Sequence, residues 1–347
     1  MNMNTGNILP SAEPLELNTD LVTLSRFILT EQAKVGAGAT GDFTLLLNAL
    51  QFAFKFIAYN IRRATLVNLV GLAGAANKSG DEQKKLDVIG DEIFVNAMRS
   101  CGKVKVLVSE EQEEAIVFDN NGRYCVVCDP IDGSSNLDAG VSVGTIFGVY
   151  RVRDGSSGSE ADVLRPGKEM VCAGYALYAA ATILVLTTGN GVNGFTLDQS
   201  FGEFILTHPN MQMPKTRGIY SVNEGNSMYW EAACKEYFDS IKFPKDGQKP
   251  YSARYIGSMV ADVQRTLMYG GIFAYPADKK SKEGKLRCLY EAFPMAFLVE
   301  QAGGRAFNGE KRILDCTPKS IHERMPIWLG SEHEMKKVEE IFEKHRI

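Results

Sequence analysis

The chain reads as an α/β (α+β) protein, and three observations carry that reading. Apolar residues recur at helical spacing in several segments, short apolar runs bounded by Asn-Gly or Gly-Ser turns fill others, and the two kinds are interspersed without repeats. The sequence has 347 residues, too many for one ordinary core, so two domains or one large domain are expected. Hydrophobic residues make up 45% and charged residues 23%, the balance of a globular protein in water. A net charge of −4, from 38 basic and 42 acidic residues, supplies no electrostatic case for nucleic acid.

Taken in order, Leu21, Leu24, Ile28 and Val35 lie on one face of a first helix. A "GAGATGDFT" turn leads to a stronger helix with Phe43, Leu46, Leu50, Phe54, Ile57 and Ile61 as its stripe. Gly71 to Gly80, "GLAGAANKSG", is small and polar and reads as a mobile loop. Asp87 then stands as the expected N-cap of "VIGDEIFVNAMR". "KVLVSEE", "AIVFD", "YCVVCD" and "VGTIFGVYRV" read as strands. Asp154 to Glu160 is a loop. Leu206 to Gly218 loses apolar periodicity and marks a boundary between residues 1–212 and 213–347. Beyond it come helices "SMYWEAACKEYF" and "SMVADVQRTLMY", strand "IFAYPA", helix "LYEAFPMAFLVEQAGG", and a last helix opened by a Ser331/Glu334 capping box.

Met170 to Leu197 is uncharged over the length of a membrane span, but Gly174, Thr187-Thr188 and Gly189-Asn190-Gly191 break it into two or three buried strands, so no membrane contact is expected. The N-terminus lacks a basic and then apolar leader. Seven cysteines, an odd number, point to reduced thiols in a cytoplasmic setting. Cys125-x-x-Cys128 lies inside a β-like run with no second pair, and is read as structural.

The chemistry concentrates in "CDPIDGSSN", residues 128–136. Asp129 and Asp132 close one apolar strand and Glu110-Glu111 another, at the strand ends where α/β folds place ligands. Asp81, Asp87 and Glu291 complete the acidic set. Singly, each has an ordinary role as a cap, a turn former or a solvated end. Together they repel one another unless a cation intervenes. All-oxygen ligation favours Mg²⁺ or Mn²⁺, and the Ile131 carbonyl adds one more donor. Glu110 and Glu111 are adjacent, so a bend or a bridging ion is needed for them to converge. Gly133, Ser134 and Ser135 supply successive amides for an anion. A Ser-His triad has little support, because His208, His322, His333 and His345 all lie far from the motif.

At this point the sequence resembles class I fructose-1,6-bisphosphatases. "DPIDGSSN", preceded by "VSEE" and "GDEQKKLD" and followed by "VSVGTIFGVYR", carries the likeness. "YSVNEGN", "ARYIGSMVADVQRTLMYGGIFAYPADKK" and "GKLRCLYEAFPMAFLVEQAGG" extend it from about Leu21 to about His345. The D-P-I-D-G core is shared with the wider magnesium-dependent, lithium-sensitive phosphatases, including inositol monophosphatase.

The resemblance implies a layered αβαβα sugar-phosphatase fold with an N-terminal regulatory half and a C-terminal sugar-binding half. It also implies a homotetramer and two to three Mg²⁺ (or Mn²⁺) per subunit. Glu110, Glu111, Asp129, the Ile131 carbonyl, Asp132 and Glu291 would be the metal ligands. Asp81 and Asp87 would belong to a loop and its hinge, with Gly71 to Gly80 closing over the site. Glu111 and Asp87 would activate the attacking water. Gly133, Ser134 and Arg287 would hold the 1-phosphate of fructose 1,6-bisphosphate. Asn223, Tyr255, Tyr275 and Lys285 would hold the 6-phosphate end, with Arg254 arriving from a neighbouring subunit. Asn226 departs from the family's usual tyrosine, and Tyr229 is the candidate substitute. Thr40, Gly41, Asp42, Phe43, Thr44, Arg123, Tyr124 and Arg151 match an inhibitory AMP site, with Asp42 and Arg123 as charge-conserving departures.

Two rivals remain open at this stage. One is a relative acting on inositol phosphates or sedoheptulose bisphosphate, and the other is a sensor that binds AMP and sugar phosphate without turnover. The C-terminal "EKHRI" is not a peroxisomal Ser-Lys-Leu signal, so the cytoplasm is expected, with a peroxisome-type organelle as the alternative.

Overall fold

The structure is a computed structural model that describes residues 20–35, 39–67, 69, 71–76, 82–245 and 247–346. Asp81 lies outside the described residues.

An eight-stranded sheet dominates the first half. From one edge to the other its strands are Glu203–Met211, Val192–Asp198, Thr182–Thr187, Cys172–Tyr178, Val143–Arg151, Tyr124–Asp132, Val104–Ser109 and Ile116–Val117. Only the Val104–Ser109 and Tyr124–Asp132 pair is parallel. Both strands of that pair therefore deliver their carboxyl ends to the same edge, and the functional site forms there.

Successive residues of the Tyr124–Asp132 strand feed opposite cores, as a two-residue period requires. Val126 and Cys128 face helices Leu24–Val35, Asp42–Arg63 and Lys85–Cys101. Cys125 and Val127 face helices Met259–Tyr269 and Phe293–Gln301. Those two helices lie in turn against a five-stranded sheet ordered Ser252–Ala253, Ile219–Ser221, Ile272–Tyr275, Ile327–Gly330 and Arg305–Phe307. Helices Ala232–Lys242 and Glu332–Lys344 cover its far side, where Phe238, stacked between Trp230 and Trp328, fills the third core. The layers are thus α, β, α, β, α. The helix Asp42–Arg63 is long and apolar enough to cross a membrane, but Leu46, Leu50, Phe54 and Ile57 are buried in the first core.

Several expectations need correction. Leu72–Ala76 is a strand paired with Glu82–Lys84 rather than a loop; residues 77–81 lie outside the described set. Asp87 is not the N-cap: the helix begins at Lys85, and Asp87, in its first turn, accepts a hydrogen bond from the Lys84 amide at 2.7 Å. The strand Glu203–Met211 runs through the start of the supposed boundary segment; it is a half-exposed edge, so its apolar alternation is weak. The "SMYWEAACKEYF" segment is a 3₁₀ turn, Glu224–Tyr229, followed by a helix starting only at Ala232. Ser331 does not close a capping box. Its hydroxyl donates to the Pro214 carbonyl at 2.6 Å and accepts from the Gly271 amide at 3.0 Å, while Glu334 is engaged by Tyr251 and Lys337. Tertiary partners outcompete the local cap there.

Candidate active site

A cavity of about 530 Å³ opens where the two parallel strands end. Asp87, Glu110, Glu111, Asp129, Ile131, Asp132 and Glu291 line one end, and Asn223, Tyr255, Tyr275 and Lys285 contribute to its wall, with Gly133, Ser134 and Arg287. Residues scattered over more than two hundred positions of sequence therefore meet in one concavity.

Each carboxylate has its own local support. The Tyr124–Asp132 strand stays buried through Pro130, which has no amide to donate; the pairing with Val143–Arg151 shifts register between Asp129 and Asp132. That irregularity aims both aspartates into the cavity. The Ile131 amide donates to Asp129 at 3.0 Å. Asp132 accepts from the Val260 amide at 2.8 Å and the Ser258 hydroxyl at 3.2 Å, so the start of the Met259–Tyr269 helix points at its charge. Glu291 sits in a π-helical turn, Cys288–Ala292, and accepts from the Arg287 amide at 2.5 Å. Glu110 and Glu111 lie in a turn just past Ser109, which supplies the bend their adjacency demanded.

One carboxylate oxygen each from Asp129, Asp132 and Glu291 lies within 4.8 Å of the others, all three residues being buried. Burial, with Glu110, Asp132 and Glu291 beside it, pushes the Asp129 carboxyl well above the usual range. Burial, then Glu110, does the same to Glu291. Burial pushes Asp132 up to about 7 despite the Val260 amide, and Asp87 up to about 6 despite the Lys84 amide. A buried all-oxygen cluster held in this repulsive state has the composition a hard divalent cation requires.

A stability prediction follows. Carboxyl groups whose folded pKa exceeds the unfolded value near 3.8 add stability below about pH 4, which is lost as pH rises through about 6 to 7. The melting temperature of the metal-free protein should therefore fall between about pH 5 and about pH 8, and the gain from added Mg²⁺ should grow over that interval. Thermal shifts of equal size at both ends would remove these carboxylates from cation binding.

Gly133 has φ +78, and a Cβ there would lie 2.9 Å from Ser258, so both backbone and space demand glycine. The Leu72–Ala76 and Glu82–Lys84 hairpin is tied to the turn after Gly133 by Asp138, which accepts from the Gly71 amide at 3.1 Å and from Lys84 Nζ at 2.9 Å. Also on the cavity wall, the Lys285 ammonium stands 5.9 Å from the centre of the Tyr275 ring. Asn223 caps the following 3₁₀ turn through the Gly225 amide at 3.0 Å. Arg254 is exposed and does not line the cavity; its guanidinium donates to the Ala253 carbonyl. Neither Asn226 nor Tyr229 is among the residues lining the cavity, and the Tyr229 ring faces Lys280 Nζ at 4.0 Å.

Sequence reasoning missed Lys84, Ser258 and Asp262, all on the cavity or bonded to its ligands. Fully buried Asp262 accepts from Ser221, Arg265 and the Ile256 and Gly257 amides, and so shapes the segment carrying Tyr255. Ser258 announces a helix start in the sequence; nothing local says which carboxylate that start will face.

A second cavity, about 270 Å³, is lined by Thr40, Gly41, Phe43, Thr44, Tyr124 and Arg151, joined by Glu31, Gln32, Thr188 and Asn190, which sequence reasoning did not assign to any site. Asp42 pairs instead with Lys103 at 2.8 Å, and neither Asp42 nor Arg123 is on the cavity wall.

Comparison with known proteins agrees with this geometry. The family model "Fructose-1-6-bisphosphatase, N-terminal domain" matches residues 22–209, and its C-terminal counterpart matches residues 213–343. The chain is 64% identical to the fructose-1,6-bisphosphatase of Saccharomyces cerevisiae, over 92% of this chain and 93% of that one. It is 56% identical to the cytosolic fructose-1,6-bisphosphatase of Arabidopsis thaliana, over 93% and 95%. The crystal structure of Leishmania major fructose-1,6-bisphosphatase in holo form superposes with a TM-score of 0.88 at 49% identity, covering 92% of this chain and 98% of that one. By sequence over nearly its whole length, and by fold, the chain belongs to the fructose-1,6-bisphosphatase family.

Proposed function

We infer that the chain hydrolyses fructose 1,6-bisphosphate to fructose 6-phosphate and inorganic phosphate, the reaction of gluconeogenesis. The observation that carries this reading is that one cavity is lined both by the carboxylates and by Arg287, Lys285, Tyr255, Tyr275 and Asn223. A second phosphate distant from the reacting one needs a cation such as Lys285, which disfavours an inositol monophosphate. The full carboxylate set disfavours a sensor without turnover.

The family is one of divalent-metal-dependent enzymes. We assign Glu110, Glu111, Asp129, the Ile131 carbonyl, Asp132 and Glu291 to two or three Mg²⁺ or Mn²⁺ ions per subunit. When bound, such ions supply Lewis-acid polarisation of the phosphoryl group and a more acidic water. The chain's own residues do the rest. Arg287 and the amides after Gly133 orient the 1-phosphate for in-line attack. Glu111 and Asp87 take the proton of the attacking water. The Lys84 amide occupies Asp87 Oδ2, and Oδ1 is buried with no hydrogen-bond partner among the described residues, so Oδ1 is the acceptor. A carboxyl pushed up to about 6 is suited to proton exchange near neutrality. Asn223, Tyr255, Tyr275 and Lys285 hold the 6-phosphate end, and Arg254 of a neighbouring copy completes it.

The second cavity is assigned to AMP. A charge-assisted contact with phosphate contributes about 1.5–3 kcal/mol, so Arg151→Ala should raise the AMP concentration for half-inhibition at least tenfold with little change in uninhibited kcat. An unchanged AMP response would move the inhibitor elsewhere. A homotetramer fits the exposed apolar face of Leu45, Phe52, Phe56 and Tyr59 on one helix, which extends to a groove against Ile89 and Ile93. We read residues 1–212 as the regulatory half and 213–347 as the sugar-phosphate half, because the first sheet's last strand ends at Met211 and the second sheet's first strand in chain order is Ile219–Ser221. Relatives from Arabidopsis and rice are named cytosolic, which supports a cytoplasmic location and gives the peroxisome-type alternative no support.

The deciding experiment is phosphate release with Mg²⁺ from fructose 1,6-bisphosphate and from inositol 1-phosphate, each with and without AMP. Release from the bisphosphate alone, suppressed by AMP, is expected. Preference for inositol phosphate would overturn the sugar assignment, and no turnover would revive the sensor.

A further inference from the structure

His322 is far from the carboxylate motifs in the sequence, yet it bonds residues that flank two of the carboxylate-bearing turns. Its Nδ1 lies 2.9 Å from the Tyr290 hydroxyl and its Nε2 lies 3.2 Å from the Glu113 carbonyl. The two rings meet edge to face, with centroids 5.9 Å apart and planes at 70°. Tyr290 immediately precedes Glu291 in the π turn, and Glu113 lies two residues after Glu111.

The directions of these bonds are settled by chemistry. A carbonyl oxygen only accepts, so Nε2 carries the proton. In the neutral ring Nδ1 is then an acceptor, and the Tyr290 hydroxyl donates to it. The Tyr290 oxygen is left to accept from the Arg287 side chain, with which it is hydrogen-bonded. A one-way chain results, from Arg287 to Tyr290 to His322 to the Glu113 carbonyl. It joins the phosphate-binding arginine to the turn that presents Glu110 and Glu111.

The opposite side of that turn is already fixed. Asp91, buried on the Lys85–Cys101 helix, accepts from the Ser109 hydroxyl at 2.6 Å and from the Gln112 side chain. The Gln112 amide also donates to the Ser109 carbonyl at 3.2 Å and closes the turn. With Asp91 gripping residues 109 and 112, the His322 bond to Glu113 sets how the turn is placed relative to the π turn.

We propose that His322, acting through Tyr290, is a positioning residue that holds the Glu110–Glu111 turn in register with Arg287 and Glu291. It touches neither substrate nor the reacting atoms. The proposal rests on the roles given above to Glu111 and Arg287.

The test uses His322→Ala, His322→Gln and Tyr290→Phe in the full-length enzyme. It reads kcat, KM, and the Mg²⁺ concentration giving half of the maximal thermal shift. Removing partners that orient metal-binding side chains costs about 10–100-fold in metal affinity or activity. His322→Ala should therefore lower kcat and raise half-saturating Mg²⁺ by about tenfold or more, with KM within a few fold. His322→Gln, which keeps a donor near the Nε2 position, should recover most of the loss. Combining His322→Ala with Tyr290→Phe should do no more than the worse single change, because both break one chain. If the wild type turns over substrate while the variants keep wild-type kcat and Mg²⁺ dependence, the proposal fails and the functional reading stands. The proposal also fails if activity loss follows only a lowered melting temperature and Gln gives no rescue. A wild type without turnover would defeat both.

Discussion

Glu111→Gln lowers kcat for fructose 1,6-bisphosphate by about 10²–10⁴-fold, the range expected when a positioned base is removed, while substrate binding survives. Glutamine matches glutamate in shape and keeps a hydrogen-bonding oxygen, so the turn after Ser109 has no reason to refold. It carries no charge and cannot hold a proton. The contrast with binding is the informative part, because Asn223, Tyr255, Tyr275 and Lys285, the cavity residues proposed to hold the sugar phosphate, are unchanged. Single-turnover phosphate release alongside equilibrium substrate binding separates the two effects. A Glu111→Gln enzyme with full activity would take water activation away from Glu111 and leave Asp87 as the remaining candidate.

Gly133→Ala is expected to cost both stability and turnover. The residue has φ +78, where an L side chain is strained by about 1–3 kcal/mol. Its new methyl would also sit 2.9 Å from the Ser258 Cβ and Oγ. Ser258 donates to Asp132, so relieving the clash pushes apart the helix start and the carboxylate it faces. Displacements on the scale of 1 Å in a reacting geometry cost about 10²-fold, and kcat/KM should fall by that order. Gly140→Ala is the control. Gly140 is also left-handed, with φ +69, but a Cβ there meets nothing within 4 Å. It should lose stability and keep most activity. Equal activity losses in the two variants would mean that backbone strain, and not the Ser258 contact, governs the site.

Much of the fold was legible because its signals are local. The stripe through Leu46, Leu50, Phe54 and Ile57 marks a helix wherever it packs, and all four residues are buried. The Gly189-Asn190-Gly191 turn separates strands Thr182–Thr187 and Val192–Asp198, as its residue types require. The misreadings share a cause. Asp87 and Ser331 are good caps by residue type, but Asp87 lies in the helix's first turn and Ser331 spends its hydroxyl on Pro214 and Gly271. The edge strand Glu203–Met211 hides because a half-exposed strand need not alternate cleanly.

The sequence by itself determined the mixed α/β class of the protein, the placing of several carboxylates at strand ends and helix starts, and the need for a bend or a bridging ion if Glu110 and Glu111 are to converge. These depend on residue type and short spacing, which a chain carries before it folds. Only the tertiary structure decided that Val260 and Ser258 meet Asp132, that Asp262 shapes the Tyr255 segment, and that His322 reaches Tyr290 and Glu113. Each is a contact between distant segments, formed because burying the three cores brings the sheet end, the helix starts and the π turn to one place. Hydrogen-bond partners chosen by that packing leave no trace in the local pattern.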